Sequence, residues 1–177
     1  MPLFSTLLRD SAESATHLVS RTELWGFLAE VRTLYPRNSW AVLMGGPMIR
    51  ILLVDDNPAV RRYLRAVLEQ QQDWKVMGEA RTGAEALYKV LESPPDLIVL
   101  DYRMPDLNGV DVARQISEMF PKIPILMVTL HLSRQLADAA REAGVRGACA
   151  KQDIGSVVEA INVLLNDKTY FPAIPTS

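Results

Sequence analysis

From Met48 to Asp167 the chain alternates short apolar runs with stretches of helical periodicity, five times over, and no other feature restricts its fold as strongly. Ile49-Arg50-Ile51-Leu52-Leu53-Val54 is an almost unbroken apolar run, as expected of a strand buried on both faces. Asn57-Pro58 supplies an N-cap and a first-turn proline, opening a helix with Val60, Leu64, Val67 and Leu68 on one side. Lys75-Val76-Met77-Gly78 predicts a second strand. Thr82 then caps a helix carrying Ala86, Leu87, Val90 and Leu91, closed by Pro94-Pro95. Leu97–Leu100 and Ile123–Val128 predict the third and fourth strands, separated by a helix through Val110, Val112, Ala113 and Ile116. A helix through Leu136, Ala139 and Ala140 stops at Gly144, and Gly147–Ala150 predicts the fifth strand. Val157, Val158, Ile161, Leu164 and Leu165 mark the last helix.

Strands alternating with helices pair in parallel, and the crossover helices cover the sheet on both sides. The expected fold class is therefore α/β, a doubly wound five-stranded parallel sheet with helices on both faces. Five such units are too few for an eight-stranded barrel.

The chain before Met48 has a different character. Residues 1–47 are rich in Ser and Thr and end in the breaker Gly45-Gly46-Pro47. Within them, Leu24, Phe27, Leu28, Val31 and Leu34 recur at helical spacing and predict one amphipathic helix over residues 18–35. The expected organisation is an N-terminal extension over 1–47, weakly structured apart from that helix, a domain over 48–167, and a C-terminal tail over 168–177. A partner-binding helix and a true start at Met48 are the competing readings of the extension.

Charge and cysteine content narrow the function classes. With 19 basic and 21 acidic residues the 177-residue chain carries a net charge of −2, which argues against a broad nucleic-acid-binding face. No apolar run reaches the roughly 18 residues that a membrane span needs. Arg9, Asp10 and Glu13 precede any apolar segment of signal-peptide type. One cysteine, Cys149, excludes a disulfide framework and is read as core packing rather than a redox sensor. The expected setting is the cytoplasm.

Open parallel sheets carry their sites at the carboxyl ends of the strands. Here the first strand ends in Asp55-Asp56, the third in Asp101, the fourth in Thr129 and the fifth in Lys151. Three neighbouring carboxylates repel one another unless a cation is bound, and hard oxygen ligands of this number suit Mg²⁺. A carboxylate can also act as a nucleophile and form an acyl phosphate. The charge developing on a transferred phosphoryl group would then be met by the metal, Lys151 and Thr129. Taken singly, each of these residues reads as an ordinary cap, turn or solvated side chain. The weight lies in their co-occurrence at four strand ends of one sheet.

Residues 48–167 resemble the receiver domain of bacterial two-component response regulators. The resemblance rests on Ile51-Leu52-Leu53-Val54-Asp55-Asp56-Asn57, on Leu100-Asp101-Tyr102-Arg103-Met104-Pro105-Asp106-Leu107-Asn108-Gly109, on Met127-Val128-Thr129 and on the strand end at Lys151. Ala80-Arg81-Thr82-Gly83-Ala84-Glu85-Ala86 and Ala143-Gly144-Val145-Arg146-Gly147 further resemble the NarL/FixJ class, whose receivers usually precede a helix-turn-helix domain. The resemblance implies that Asp101 accepts a phosphoryl group from a phosphohistidine on a sensor histidine kinase or phosphotransfer protein. It implies that Asp55, Asp56, Asp101 and the backbone carbonyl of Arg103 hold Mg²⁺. Lys151 would pair with the carboxylate and later with the phosphoryl oxygen, and the Thr129 hydroxyl would move onto the phosphoryl group. The output would be a changed surface for a downstream protein partner, on the helix over 133–143 and the strand over 147–150. A homodimer linked to phosphorylation is a further expectation, and turnover catalysis is not expected.

Three departures from the family pattern stand out. The aromatic that usually lies three residues before the lysine is Ala148 here, and the small residue after the threonine is the bulky Leu130. His131 beside it is read as a solvated surface group. Residues 166–177 are too few for a helix-turn-helix, which suggests a stand-alone receiver or a truncated remnant of a DNA-binding regulator, without direct nucleic acid binding. Ala148 and Leu130 also keep open a receiver-fold binding module that works without phosphorylation. A phosphatase of haloacid-dehalogenase type is disfavoured, because its second acid, two residues after the nucleophile, would fall on Arg103.

Overall fold

A computed structural model describes residues 48–173. The extension over 1–47, with its expected helix over 18–35, lies outside the described residues. The chain runs β1 (Ile49–Val54), α1 (Pro58–Leu68), β2 (Trp74–Ala80), α2 (Gly83–Glu92), β3 (Leu97–Asp101), α3 (Gly109–Met119), β4 (Ile125–Thr129), α4 (Arg134–Glu142), β5 (Gly147–Ala150) and α5 (Ile154–Leu165). All five strands are parallel in one sheet of order β2-β1-β3-β4-β5. The doubly wound α/β fold follows from the alternation read in the sequence.

Helix starts obey local chemistry. Asn57, Thr82, Asn108, Ser133 and Asp153 are N-caps whose side-chain oxygens accept amide hydrogens of their first turns, and Pro58 sits where its missing N–H costs nothing. Gly144 has φ +85°, the left-handed geometry that ends α4. Three strands run longer than, or are offset from, their apolar runs, β3 only by the addition of Asp101, which pairs with Val128. Strand β2 spans seven residues, because Trp74 and Ala80 extend the pairing with β1 on either side of Lys75–Gly78. Strand β4 begins at Ile125, since Pro124 donates no ladder hydrogen bond, and it reaches Thr129 through pairing with Ala150.

The core forms two layers. Leu52, Val54, Ile98, Leu100 and Met127 pack under α2, α3 and α4, whereas Ile51, Leu53, Leu97, Val99 and Val128 pack under α1 and α5. Leu91, expected on the inner face of α2, is 59% exposed, because Gly83, Ala86 and Val90 already define the stripe that meets the sheet. Beyond α5 the tail returns to the sheet. The Tyr170 amide donates to the Arg146 carbonyl at 3.0 Å, the Ala148 amide donates to the Tyr170 carbonyl at 2.8 Å, and Phe171 lies 4.0 Å beneath the Arg141 guanidinium. Among the described residues no helix is long and apolar enough to cross a membrane.

Candidate functional site

The strand order reverses direction between β1 and β3, so the loops leaving their carboxyl ends diverge and open a crevice. Asp55 follows β1, held by its amide bond to the Ala80 carbonyl at 3.1 Å, and its side chain is buried. Asp101 ends β3 and Thr129 ends β4, both buried as well, while Asp56 faces solvent. Lys151 follows β5, and its amide donates to the Thr129 carbonyl at 2.8 Å. Its Nζ reaches back to Asp55 Oδ2 at 2.5 Å and to Asp101 Oδ2 at 2.8 Å. Carboxylate oxygens of Asp55, Asp56 and Asp101 all lie within 4.8 Å of one another. The four charged strand-end residues singled out in the sequence thus meet in one place, and Thr129 is joined to Lys151 through its main-chain carbonyl.

The electrostatics show a site short of positive charge. Burial raises the Asp101 carboxyl above its ordinary range and the Asp55 charge adds to this, against the hydrogen bonds and charge of Lys151 and the Arg103 amide. Burial works against the Lys151 ammonium, but hydrogen bonds and charges from Asp101 and Asp55 outweigh it and hold the lysine above its usual value. Lys151 is therefore cationic at neutral pH. Three carboxylates against one ammonium leave a local charge of −2 when all are ionised, which a divalent cation would balance. The donor set is all hard oxygen and exposed on the Asp56 side, so it fits Mg²⁺.

The loop after Asp101 is fixed at both ends. The Gly109 amide donates to the Tyr102 carbonyl at 2.7 Å, and a Cβ at Gly109 would stand 2.3 Å from the Asp101 carbonyl oxygen. Only glycine permits that approach. Asp106 accepts the Gly83 and Ala84 amide hydrogens, both at 2.9 Å, so the loop docks on the first turn of α2. The Ala84 bond above all holds the Asp106 carboxyl below its usual range. The Arg103 side chain is exposed while its amide faces Asp101.

On the other side, the Thr129 hydroxyl accepts the His131 amide at 3.4 Å, and Gln152 Nε2 donates to the Leu130 carbonyl at 3.0 Å. Leu130 projects into solvent, and His131 is exposed, as its loop position led us to expect. Ala148 is wholly buried where the family places its aromatic. Cys149 is buried too, its thiol pushed up to about 12 by burial and by Asp153, which makes it a packing residue.

Sequence reasoning passed over Arg61. It lies on the stripe of α1 that includes Leu64 and Leu68, facing the sheet. Its Nη1 donates to the Asp55 carbonyl at 2.7 Å and to the Asp56 carbonyl at 3.3 Å, and its Nε bonds Glu79 at 2.8 Å. Glu79 also accepts from Arg65 Nε at 2.8 Å, and Arg65 reaches Glu69 at 3.2 Å. The available signal was the spacing of Arg61 from Leu64 and Leu68, three and seven residues on.

Comparison with known proteins agrees with this geometry. Residues 51–162 match the response regulator receiver domain. The response regulator protein VraR of Staphylococcus saprophyticus is 33% identical over 126 residues, covering 71% of this chain and 60% of that protein. A protein-glutamate methylesterase/protein-glutamine glutaminase of Methanospirillum hungatei is 44% identical over 82 residues, 46% of this chain and 23% of that enzyme. The chain therefore spans less than two thirds of either relative. Among solved structures, a LuxR-family two-component response regulator from Aurantimonas sp. superposes with TM-score 0.67 and 33% identity, over 70% of this chain and 89% of that one. The response regulator domain of Thermotoga maritima CheB gives TM-score 0.63 and 29% identity, over 67% and 97%. Receiver domains generally bind Mg²⁺ at an acidic cluster and interact with histidine kinases or phosphotransfer proteins, and Asp55, Asp56 and Asp101 form such a cluster here. With the fold, the strand-end site and the matched motifs in agreement, this chain belongs to the response regulator receiver family of two-component signalling.

Proposed function

We propose that residues 48–167 form a phosphoacceptor domain, with Asp101 receiving a phosphoryl group from a phosphohistidine of a sensor histidine kinase or phosphotransfer protein. The observation that carries this reading is the Lys151 ammonium shared between Asp55 and Asp101, beside a third carboxylate, at the strand ends. In the transfer, Asp101 Oδ forms a bond to phosphorus as the phosphorus–nitrogen bond of the donor breaks, and the imidazole leaves carrying the electron pair. Asp55, Asp56, Asp101 and the Arg103 carbonyl would hold Mg²⁺. Bound there, the ion would offset charge on the phosphoryl oxygens. Lys151 turns from the Asp101 carboxylate to a phosphoryl oxygen. The Thr129 hydroxyl gives up the His131 amide and donates to another, drawing the loop after β4 with it. The changed face over α4 and β5 then engages a downstream protein, or a second copy of the chain. The domain reacts once per signalling cycle and is not a turnover enzyme.

The test is intact mass after incubation with acetyl phosphate and Mg²⁺. The parent should gain one phosphoryl group, and neither Asp101→Asn nor the parent in EDTA should gain any. If the parent takes up nothing from acetyl phosphate or from a phosphorylated histidine donor, the reading fails. A second reading, a binding module independent of phosphorylation, is favoured by the buried Ala148 and the exposed Leu130. It requires that Asp101→Asn keep full affinity for the cellular partner.

A further inference from the structure

Among the described residues, four polar or charged side chains are buried: Asp55, Asp101, Thr129 and Arg61. Three belong to the site. The fourth is a guanidinium, 8% exposed, on the inner face of α1. Burying such a charge is costly unless its hydrogen-bonding groups are met, so its partners reveal what it does.

Asp55 and Asp56 stand where β1 gives way to the turn before α1. Asp55 keeps its amide bond to β2, but beyond it the carbonyls leave the ladder and need other donors. One Arg61 nitrogen supplies both, at 2.7 Å and 3.3 Å. The Arg61–Glu79 bond at 2.8 Å and the Glu79–Arg65 bond at 2.8 Å fix the guanidinium from β2 and from the next turn of α1. The Asp55 carboxylate is itself oriented by the Asn57 amide at 2.9 Å, so the main-chain path through 55–57 sets where both carboxylates point.

We infer that Arg61 is a positioning residue: anchored by Glu79, it clamps the main chain of Asp55-Asp56 and so sets the affinity of the acidic cluster for a divalent cation. This rests on the phosphoacceptor reading and deepens it. A planar fork reaches two carbonyls and a carboxylate at once, whereas a lysine in its place offers a single point charge and loses the Glu79 anchor or a carbonyl. The surrounding network then tunes a metal site it never touches, as outer partners commonly do.

The experiment titrates Mg²⁺ into the full chain by calorimetry, and separately measures the Mg²⁺ concentration giving half-maximal phosphorylation by acetyl phosphate. Variants are Arg61→Lys, Arg61→Gln and Glu79→Gln, with Leu64→Ala as a control on the same buried stripe. Each is assayed well below its melting temperature. Both Arg61 variants should bind Mg²⁺ about tenfold more weakly, the usual loss on removing an outer partner. Glu79→Gln should fall between. Their phosphorylation rate at saturating Mg²⁺ should stay within about threefold of the parent, since the reacting groups are intact. Leu64→Ala should lower the melting temperature and leave the Mg²⁺ midpoint in place, because it costs packing alone. Amide hydrogen exchange at 55–57 should rise in the Arg61 variants without metal. Folded Arg61 variants that bind Mg²⁺ like the parent, with unchanged exchange at 55–57, would overturn the inference and leave the phosphoacceptor reading standing. A parent that binds no Mg²⁺ would overturn both.

Discussion

Asp101→Asn should make the metal-free protein more stable, although it removes an ion pair. Asp55 stands within 4.8 Å of Asp101, and at an effective dielectric near 20 two unit charges at that distance repel by about 3.5 kcal/mol. Exposed Asp56, screened by water, adds about 1 kcal/mol. Lys151, at 2.8 Å, returns about 6 kcal/mol on the same basis. These contributions nearly cancel, and the cost of removing a charge from water, several kcal/mol for a buried ion, decides the sign. Asparagine avoids that cost and leaves Lys151 paired with Asp55. The expected gain at pH 7.5 in EDTA is about 1–3 kcal/mol, roughly 4–10 °C in melting temperature for a domain of this size.

The pH dependence checks the cause. A carboxyl whose folded pKa is raised holds its proton more tightly in the folded than in the unfolded chain, so stability falls as pH climbs from the unfolded value towards the folded one. The parent should therefore lose ground to the variant as pH rises above the ordinary value of 3.8, and the gap should close below it. Adding Mg²⁺ should raise the parent more than the variant. Thermal unfolding monitored by circular dichroism suffices. A variant that melts at or below the parent in EDTA would mean that the Lys151 attraction exceeds the burial cost, and the account of the site's charge would be wrong.

Further outcomes are expected elsewhere. Gly109→Ala places a methyl against the Asp101 carbonyl and should cost about 2–3 kcal/mol in urea denaturation, with a slower phosphorylation rate. Asp106→Ala frees the first two amides of α2 and should cost about 1–2 kcal/mol, with faster exchange at Gly83 and Ala84. Leu130→Ala, at a 53% exposed position, should change stability by less than about 0.5 kcal/mol yet speed phosphoryl entry or loss, read by intact mass over time. With its thiol near 12, Cys149 should resist an aromatic disulfide reagent at pH 8 in native protein and react at once in guanidinium.

The sheet was legible because each central strand is built on an apolar run, interrupted internally only by Arg50 at the exposed start of β1, and a strand buried on both faces tolerates little else. The site was legible for a related reason. Polar residues at Asp55, Asp101, Thr129 and Lys151 interrupt those runs at their carboxyl ends, where a doubly wound sheet converges. Arg61 and Glu79 were hidden, since an arginine on a helix reads as solvent-facing until the helix phase and the neighbouring strand are known. Asp106 carries no local signal beyond its place in the motif, because its partners lie 22 and 23 residues earlier, a distance no local pattern encodes. Leu91 misled for the opposite reason: an apolar side chain on the flank of a stripe has no obligation to be inside.

The return of the tail to β5 bears on how this domain may be cut. An outermost strand with free main-chain donors and acceptors is a template on which another chain can add. Here Tyr170 occupies the Arg146 carbonyl and the Ala148 amide, and Phe171 covers the adjoining apolar surface beside α4. A fragment ending at Asp167, a natural choice when the last helix is taken as the boundary, would bare the Arg146 carbonyl just before β5 and the Ala148 amide within it. Such a fragment should fold and then self-associate with concentration, whereas one extended through Ala173 should stay dispersed.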